Sequence, residues 1–85
     1  MDKFEEKLKL AKVILTQLER GPVRRVSLLK RVIHSCGSPA RFDSTFNWLK
    51  KTQRIRKAGP DHTASYQITR KGEQFLAGLI AEGEK

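Results

Sequence analysis

The side chains best suited to bind a ligand are cations, and they concentrate in the middle of the 85-residue chain. From Arg20 to Lys57 there are eleven Lys and Arg residues against a single acid, Asp43, which gives this segment a charge of +10. The segment before it is neutral, and the segment after it carries −1. A charge that served solubility alone would have no reason to concentrate in this way. The pattern therefore indicates a surface that binds a polyanion.

The sequence contains no catalytic or metal-binding pattern. The sequence has no Ser, His and Asp set with a meaningful spacing and no glycine-rich phosphate loop, and its two histidines, His34 and His62, lie far apart. A single cysteine, Cys36, excludes an intramolecular disulfide and a cysteine-based metal cage. We therefore expect no enzyme, metal, cofactor or small-molecule ligand. Cys36 is expected to be a small buried residue, since a redox role would require exposure and a lowered pKa.

The length suits one domain over residues 1–85, and 38% hydrophobic residues are enough for a core. No run of about 18 apolar residues could span a membrane, and the amino terminus lacks the apolar run of a secretory signal. We expect a cytoplasmic protein.

Apolar spacing predicts two helices in the first half of the chain. The first runs from Asp2 to Leu18 and is ended by Gly21-Pro22. Its predicted inner face comprises Phe4, Leu8, Ala11, Ile14, Leu15 and Leu18. After a short strand stub at residues 23–26, Ser27 is the predicted N-cap of the second helix, and Gly37 its left-handed end. The predicted inner face of that helix comprises Leu29, Val32, Ile33 and Cys36.

Ser38-Pro39 begins a third helix, which is predicted to run to about Gln53 with Phe42, Phe46 and Leu49 inward. The period then changes to two, which predicts strands at Arg54–Ala58 and Ser65–Thr69 around a turn-rich tip. The positions predicted to be buried in these strands are Ile55, Tyr66 and Ile68. Thr69 is the predicted cap of a last helix, whose inner face comprises Phe75, Leu76, Leu79 and Ile80.

Two strings in this order of elements resemble the winged-helix family of small prokaryotic regulators, particularly those common in archaea. YQITRKGEQFL supplies Tyr66, Ile68, Thr69 and Gly72, and FNWLKKTQRIRK resembles a recognition helix that runs into the first wing strand. The resemblance implies an α+β winged helix-turn-helix fold, with a three-helix core, a two-stranded hairpin wing and a C-terminal helix. The sequence departs from the family at Gln53-Arg54, where a glycine is usual, and its last helix is short for a dimerisation arm.

The third helix is predicted to present one polar face opposite its apolar residues. Small, amide and cationic side chains suit a helix that enters the major groove, because Asn can pair with adenine and Arg with guanine. The alternative is an ordinary solvated face. The residues concerned are Ala40, Ser44, Asn47 and Lys51, with Arg41 and Trp48 along one margin. Trp48 either packs on the edge of the wing or contacts the sugar-phosphate backbone through its indole N–H.

The wing and the second helix supply the remaining candidates. Arg54 and Arg56 are predicted to point outward together beside Lys57, toward phosphate or the minor groove, with His62 near the wing tip. The alternative is an edge strand charged against aggregation. By resemblance, the region around the start of the second helix crosses the DNA backbone. The cations there are Arg24, Arg25, Lys30 and Arg31.

The function expected from these features is that of a duplex-DNA-binding regulator. The alternatives are an architectural or RNA-contacting module, or a protein-interaction module in a larger assembly. A homodimer is also expected, because Leu10 and Val13 lie off the core stripe of the first helix and form a patch with Ile14. The alternative is that the carboxy-terminal segment covers this patch.

Overall fold

The computed structural model describes residues 3–60 and 64–83 and shows an α+β fold. Four helices and one antiparallel two-stranded hairpin follow one another as α1 (Lys3–Glu19), α2 (Arg25–Cys36), α3 (Pro39–Lys51), β1 (Ile55–Lys57), β2 (Tyr66–Ile68) and α4 (Arg70–Gly83). Within the described ranges, no helix is both long and apolar enough to cross a membrane. The expectations for the side chains of Phe4 and Cys36, and for His62, fall outside what the structure describes.

Helix α1 lies at the centre of the fold and contacts α2, α3, α4 and β2. With neighbours on several sides, it buries a wider arc than one helical stripe. Its buried side chains are Leu10, Ala11, Ile14, Leu15 and Leu18. Leu10 is only 8% exposed and Ile14 is fully buried, while Val13 packs against the core. The expectation that Leu10 lies on a wet face of the monomer is therefore wrong, and the chain itself covers Leu10 and Ile14, two of the three residues of the patch expected for a dimer.

Helix α2 begins three residues earlier than predicted. The amide of Leu28 donates to the carbonyl of Arg24 (2.8 Å), so Arg24 is the N-cap, and Ser27 lies exposed in the first turn. Leu28 is fully buried, a position that the sequence analysis missed, and Val32 is buried as predicted.

The corner between α2 and α3 has the predicted chemistry. Gly37 has a positive φ of 82°, and its amide donates to Ile33 at the end of α2. The hydroxyl of Ser38 accepts from the amide of Arg41 (3.3 Å), and Pro39 occupies the first position of α3. Proline is preorganised for that position, because its missing N–H would have no helical partner there.

Helix α3 ends at Lys51, two residues before the predicted boundary. Gln53 has a φ of 62°, its amide donates to Lys50, and the amide of Arg54 donates to Leu49. This pair of bonds around a left-handed residue is the Schellman ending, in which glycine usually holds the left-handed position. Gln53 therefore occupies this left-handed position and turns the chain sharply toward the hairpin.

The hairpin pairs Ile55 with Ile68, Arg56 with Gln67 and Lys57 with Tyr66. Both strands are shorter than predicted. The predicted stub before α2 consists of Val23 alone, which exchanges two backbone bonds with Tyr66 (3.0 and 2.9 Å). The Tyr66 ring meets the Phe46 ring edge to face at 4.8 Å, so the hairpin is packed directly on α3.

Helix α4 is capped by Thr69, as predicted: the Thr69 hydroxyl accepts from the amide of Gly72 (3.1 Å). Leu76 is buried, and Phe75 and Leu79 are half-buried. Ile80 is 37% exposed, so its predicted inward position is wrong.

Candidate nucleic-acid interface

Helix α3 presents one continuous exposed face, here called the α3 face, which consists of Ala40, Ser44, Asn47 and Lys51. All four side chains are exposed, as predicted, while Phe42, Phe46 and Leu49 are buried on the opposite side. The spacing of four, three and four residues keeps the face on one side of the helix over about 16 Å. Thr45 is also buried, at 2% exposure, a position that the apolar pattern did not reveal because threonine is polar.

Trp48 lies on the margin of α3 that is turned toward α1 and α4. Its ring meets the Phe75 ring at 5.8 Å and 69°, and the Lys7 ammonium lies 5.7 Å from its centre. The ring thus packs within the molecule, which agrees with the packing alternative, although the partner is α4 and not the edge of the hairpin.

Arg54 does not point outward beside Arg56. Its guanidinium carbon lies 4.2 Å from the centre of the Phe75 ring and 5.1 Å from that of Trp48, and its Nε is buried without a hydrogen-bond partner. The strand alternation that predicted a shared direction begins only at Ile55, because the left-handed Gln53 reorients the chain immediately before Arg54. The outward direction expected for Arg54 is therefore wrong.

Arg56 is exposed on the outer face of the hairpin, opposite its cross-strand partner Gln67. The Gln67 amide oxygen, in the orientation that these donors select, accepts from Nε and Nη2 of Arg56 at 3.0 and 3.2 Å. This fork holds the guanidinium in place and leaves its other N–H groups for a ligand.

A cleft of about 460 Å³ opens between the end of α3 and the hairpin. This hairpin cleft is lined by Lys50, Gln53, Ile55, Arg56, Lys57 and Tyr66. Lys50 is not among the predicted site residues, because it lies between the apolar stripe and the predicted binding face. Its ammonium lies 5.6 Å from the Tyr66 ring centre and 6.0 Å from that of Phe46, at the inner wall of the cleft. The helical position of Lys50 beside Phe46 was the available signal.

The cations of the second helix divide into two groups. Arg24, Lys30 and Arg31 are exposed. Arg25 instead forms an ion pair with Asp43 of α3, and its guanidinium lies 5.6 Å from the ring centres of both Phe42 and Phe46. The pair joins α2 to α3, and it offsets the only acid of residues 20–57.

A second, smaller cleft of about 290 Å³ lies beside the start of α3. Arg41 and Ser44 line it together with Glu6 and Lys7 of α1, so this margin of α3 has a carboxylate nearby. In the described parts of the chain, no three His, Cys, Asp or Glu residues are grouped so that they could hold a metal ion.

Comparison of the chain with protein-family models, with curated proteins and with solved structures gave no significant match.

Proposed function

We propose that this chain binds duplex DNA as a winged-helix transcriptional regulator, with the α3 face in the major groove and the hairpin on the adjacent backbone or minor groove. The observation that carries the proposal is the exposed α3 face beside the cationic hairpin cleft, on a segment whose single acid is already paired with Arg25. No carboxylate of this segment is left to repel phosphate.

The dimensions of the helix agree with this arrangement. Helix α3 has 13 residues, which gives a length of about 20 Å. A major groove about 12 Å wide admits one α-helix, and the small side chains of Ala40 and Ser44 allow its backbone to approach the base edges closely. Asn47 at the centre of the face has both an amide donor and an acceptor, as bidentate pairing with adenine requires.

The cations around this face would supply most of the affinity. Phosphate contacts release condensed counterions, and this term dominates non-specific binding to DNA. The exposed or cleft-lining candidates for these contacts are Arg24, Lys30, Arg31, Arg41, Lys50, Lys51, Arg56 and Lys57. Arg54 is not among these candidates, because its guanidinium packs against the rings of Trp48 and Phe75.

The order of elements supports the winged-helix part of the proposal. Two helices joined at Gly37 form a helix-turn-helix corner, and a hairpin and a final helix follow. The bridge between Val23 and Tyr66 adds one residue before α2 to the edge of the hairpin, so the hairpin is tied to the start of the corner as well as to α3.

The experiment that tests DNA binding is a fluorescence-anisotropy titration of a labelled random-sequence duplex at several salt concentrations. We expect binding that weakens with salt, with log K falling by about 0.9 per phosphate contact for each unit of log salt concentration. Absence of binding at micromolar protein and about 50 mM salt would overturn the proposal, since non-specific DNA binding is strong at low salt.

A second experiment separates a regulator from an architectural protein. Selection of bound sequences from a pool of random duplexes should return a consensus if the α3 face reads base edges. A pool that binds tightly and returns no consensus would keep the DNA-binding part of the proposal and overturn the regulatory part. A protein-interaction module would give neither result.

A further inference from the structure

The hairpin cleft has the composition of an anion-binding site. Three cations from two elements line one open space: Lys50 from the last turn of α3, and Arg56 and Lys57 from β1. The buried side chains of Ile55 and Tyr66 contribute to its wall. Its volume of about 460 Å³ lies within the range typical of small-molecule sites, about 300–1,000 Å³.

The charge of this cleft is not offset from within the protein. None of its lining residues is an acid, and over residues 3–60 and 64–83 the one ion pair joins Arg25 to Asp43. The second cleft, beside the start of α3, contains Glu6 and therefore lacks this property.

Two of the three cations are also held in position. Gln67 fixes the Arg56 guanidinium through two hydrogen bonds, and the Lys50 ammonium lies over the rings of Phe46 and Tyr66. A preorganised set of donors loses less side-chain entropy when it binds an anion.

We propose that the hairpin cleft binds closely spaced phosphate groups of a free oligophosphate, and that this ligand competes with DNA for the same cations. The first part rests on the cleft alone, and the competition rests on the proposed function. Duplex DNA is the other source of phosphate, but its backbone delivers one charge per nucleotide. An oligophosphate brings several charges into one cleft, where charge-assisted hydrogen bonds from three cations can meet them.

The test is isothermal titration of inorganic triphosphate into the full chain at about 50 mM salt. Lys50→Gln and Lys57→Gln should each weaken binding about tenfold, the loss expected for one charge-assisted hydrogen bond. Lys51→Gln is the matched control: it removes the same charge from the next residue, about 100° around the helix on the α3 face, and should change triphosphate binding less than about twofold. Lys50→Arg keeps the cation and should bind triphosphate nearly as well as the wild type.

Thermal unfolding of each variant checks that the fold is retained. If Lys50→Gln destabilises the protein through its lost contacts with Phe46 and Tyr66, the Lys57→Gln variant still tests the cleft. Absence of triphosphate binding by the wild type would overturn the proposal. Equal losses in Lys50→Gln and Lys51→Gln would also overturn it, because they would show that diffuse charge, and not the cleft, attracts the anion.

A parallel titration with a short duplex distinguishes the two sources of phosphate. Triphosphate that displaces the duplex from wild type, but poorly from Lys50→Gln, would support the whole proposal. A cleft that binds triphosphate in a chain that binds no DNA would support the anion site and overturn the proposed function. Binding of DNA without any binding of triphosphate would overturn this inference. The cleft would then contact only the phosphate backbone of DNA.

Discussion

Gly72 of α4 packs directly against the backbone carbonyl of Arg54. A Cβ atom at residue 72 would overlap that carbonyl oxygen and lie 2.8 Å from Cγ1 of Ile68. Thr69 completes the joint: its hydroxyl donates to the carbonyl of Gln53 (2.7 Å), and its amide donates to Arg54 (3.0 Å). The first turn of α4 is therefore fastened to the turn that ends α3, which gives a physical reason for the Thr-x-x-Gly spacing.

We predict that Gly72→Ala destabilises the protein, whereas Gly78→Ala stabilises it. The methyl group at residue 72 would overpack the joint at a cost of roughly 1–3 kcal/mol. Gly78 lies in the same helix, is exposed and has no atom within 4 Å of an added Cβ. Alanine there should gain roughly 0.5–1 kcal/mol of helix stability. Urea denaturation measures both changes, and an unchanged midpoint for Gly72→Ala would contradict the close packing.

The left-handed turn at Gln53 leads to a second prediction. A residue other than glycine at a φ of 62° pays a steric cost of roughly 1 kcal/mol, and glycine does not. The entropy that glycine gains in the unfolded chain offsets part of this relief, so we expect Gln53→Gly to raise the free energy of unfolding by about 0.5–1 kcal/mol. Lys51→Gly, in the helical backbone two residues earlier, is the control and should lose about 1 kcal/mol. Equal losses of unfolding free energy in both variants would show that the φ of Gln53 imposes no steric cost that glycine relieves.

The sequence predicted the order of elements because its apolar periods and its cap residues agree with the packing. The alternation of buried and exposed positions in α3 and in the strands, and the Ser38-Pro39 start, are all local properties. The start of α2 was misplaced because Ser27 is a good capping residue, while the observed boundary depends on how Leu28 fits the core. That choice is made by tertiary contacts, which outweigh one side-chain cap.

The candidate site was predicted less completely than the fold. The exposed positions of α3 follow from helical geometry alone, and all four were found. The direction of Arg54, and the cleft that the hairpin forms beside Lys50, depend on the angle at which the chain leaves α3. The positive φ of Gln53 sets this angle. The burial of Leu10 depends on α3 and α4 lying beside α1, which no local pattern reveals.

Arg54 and Arg56 should have different roles when substituted. Arg56→Ala should weaken DNA binding on unrelated sequences and flatten the dependence of log K on log salt by about 0.9, the value for one phosphate contact. Arg54→Ala should leave that slope unchanged and lower stability by about 1–3 kcal/mol, because it removes the contacts of the cation and its stem with the rings of Trp48 and Phe75. Salt-dependent anisotropy and urea denaturation of both variants check this. A flatter slope for Arg54→Ala would place its guanidinium on DNA.

On the α3 face, substitutions of Asn47 and Lys51 should differ in how their effect on affinity depends on the DNA sequence. If Asn47 reads a base, Asn47→Ala costs roughly 1–3 kcal/mol on the selected site and little on random duplex. Lys51→Ala should weaken binding to both DNAs by a similar factor, because a lysine at the last turn of the helix contacts phosphate, which is the same in every sequence. Competition titrations with the two duplexes measure the difference. Equal losses for Asn47→Ala on both DNAs would exclude direct readout by this residue.

The ion pair between Arg25 and Asp43 gives the last prediction, which concerns affinity more than stability. Asp43→Asn removes the only negative charge from residues 20–57 and releases Arg25 toward a phosphate. We expect about three- to tenfold tighter binding to random duplex at low salt, and a salt slope steeper by up to about 0.9. The side chains of Arg25 and Asp43 are 41% and 47% exposed, so the loss of stability should stay below about 1 kcal/mol.

Two control variants identify the source of this gain. Glu73→Gln makes the same change in net charge on the exposed start of α4, outside the basic segment, and should tighten DNA binding less than Asp43→Asn. In the double variant Arg25→Gln with Asp43→Asn, the steeper salt slope should disappear, because the released guanidinium is the group that makes the new contact. Weaker DNA binding by Asp43→Asn would reverse the interpretation: Asp43 would then hold Arg25 in the position from which it contacts DNA.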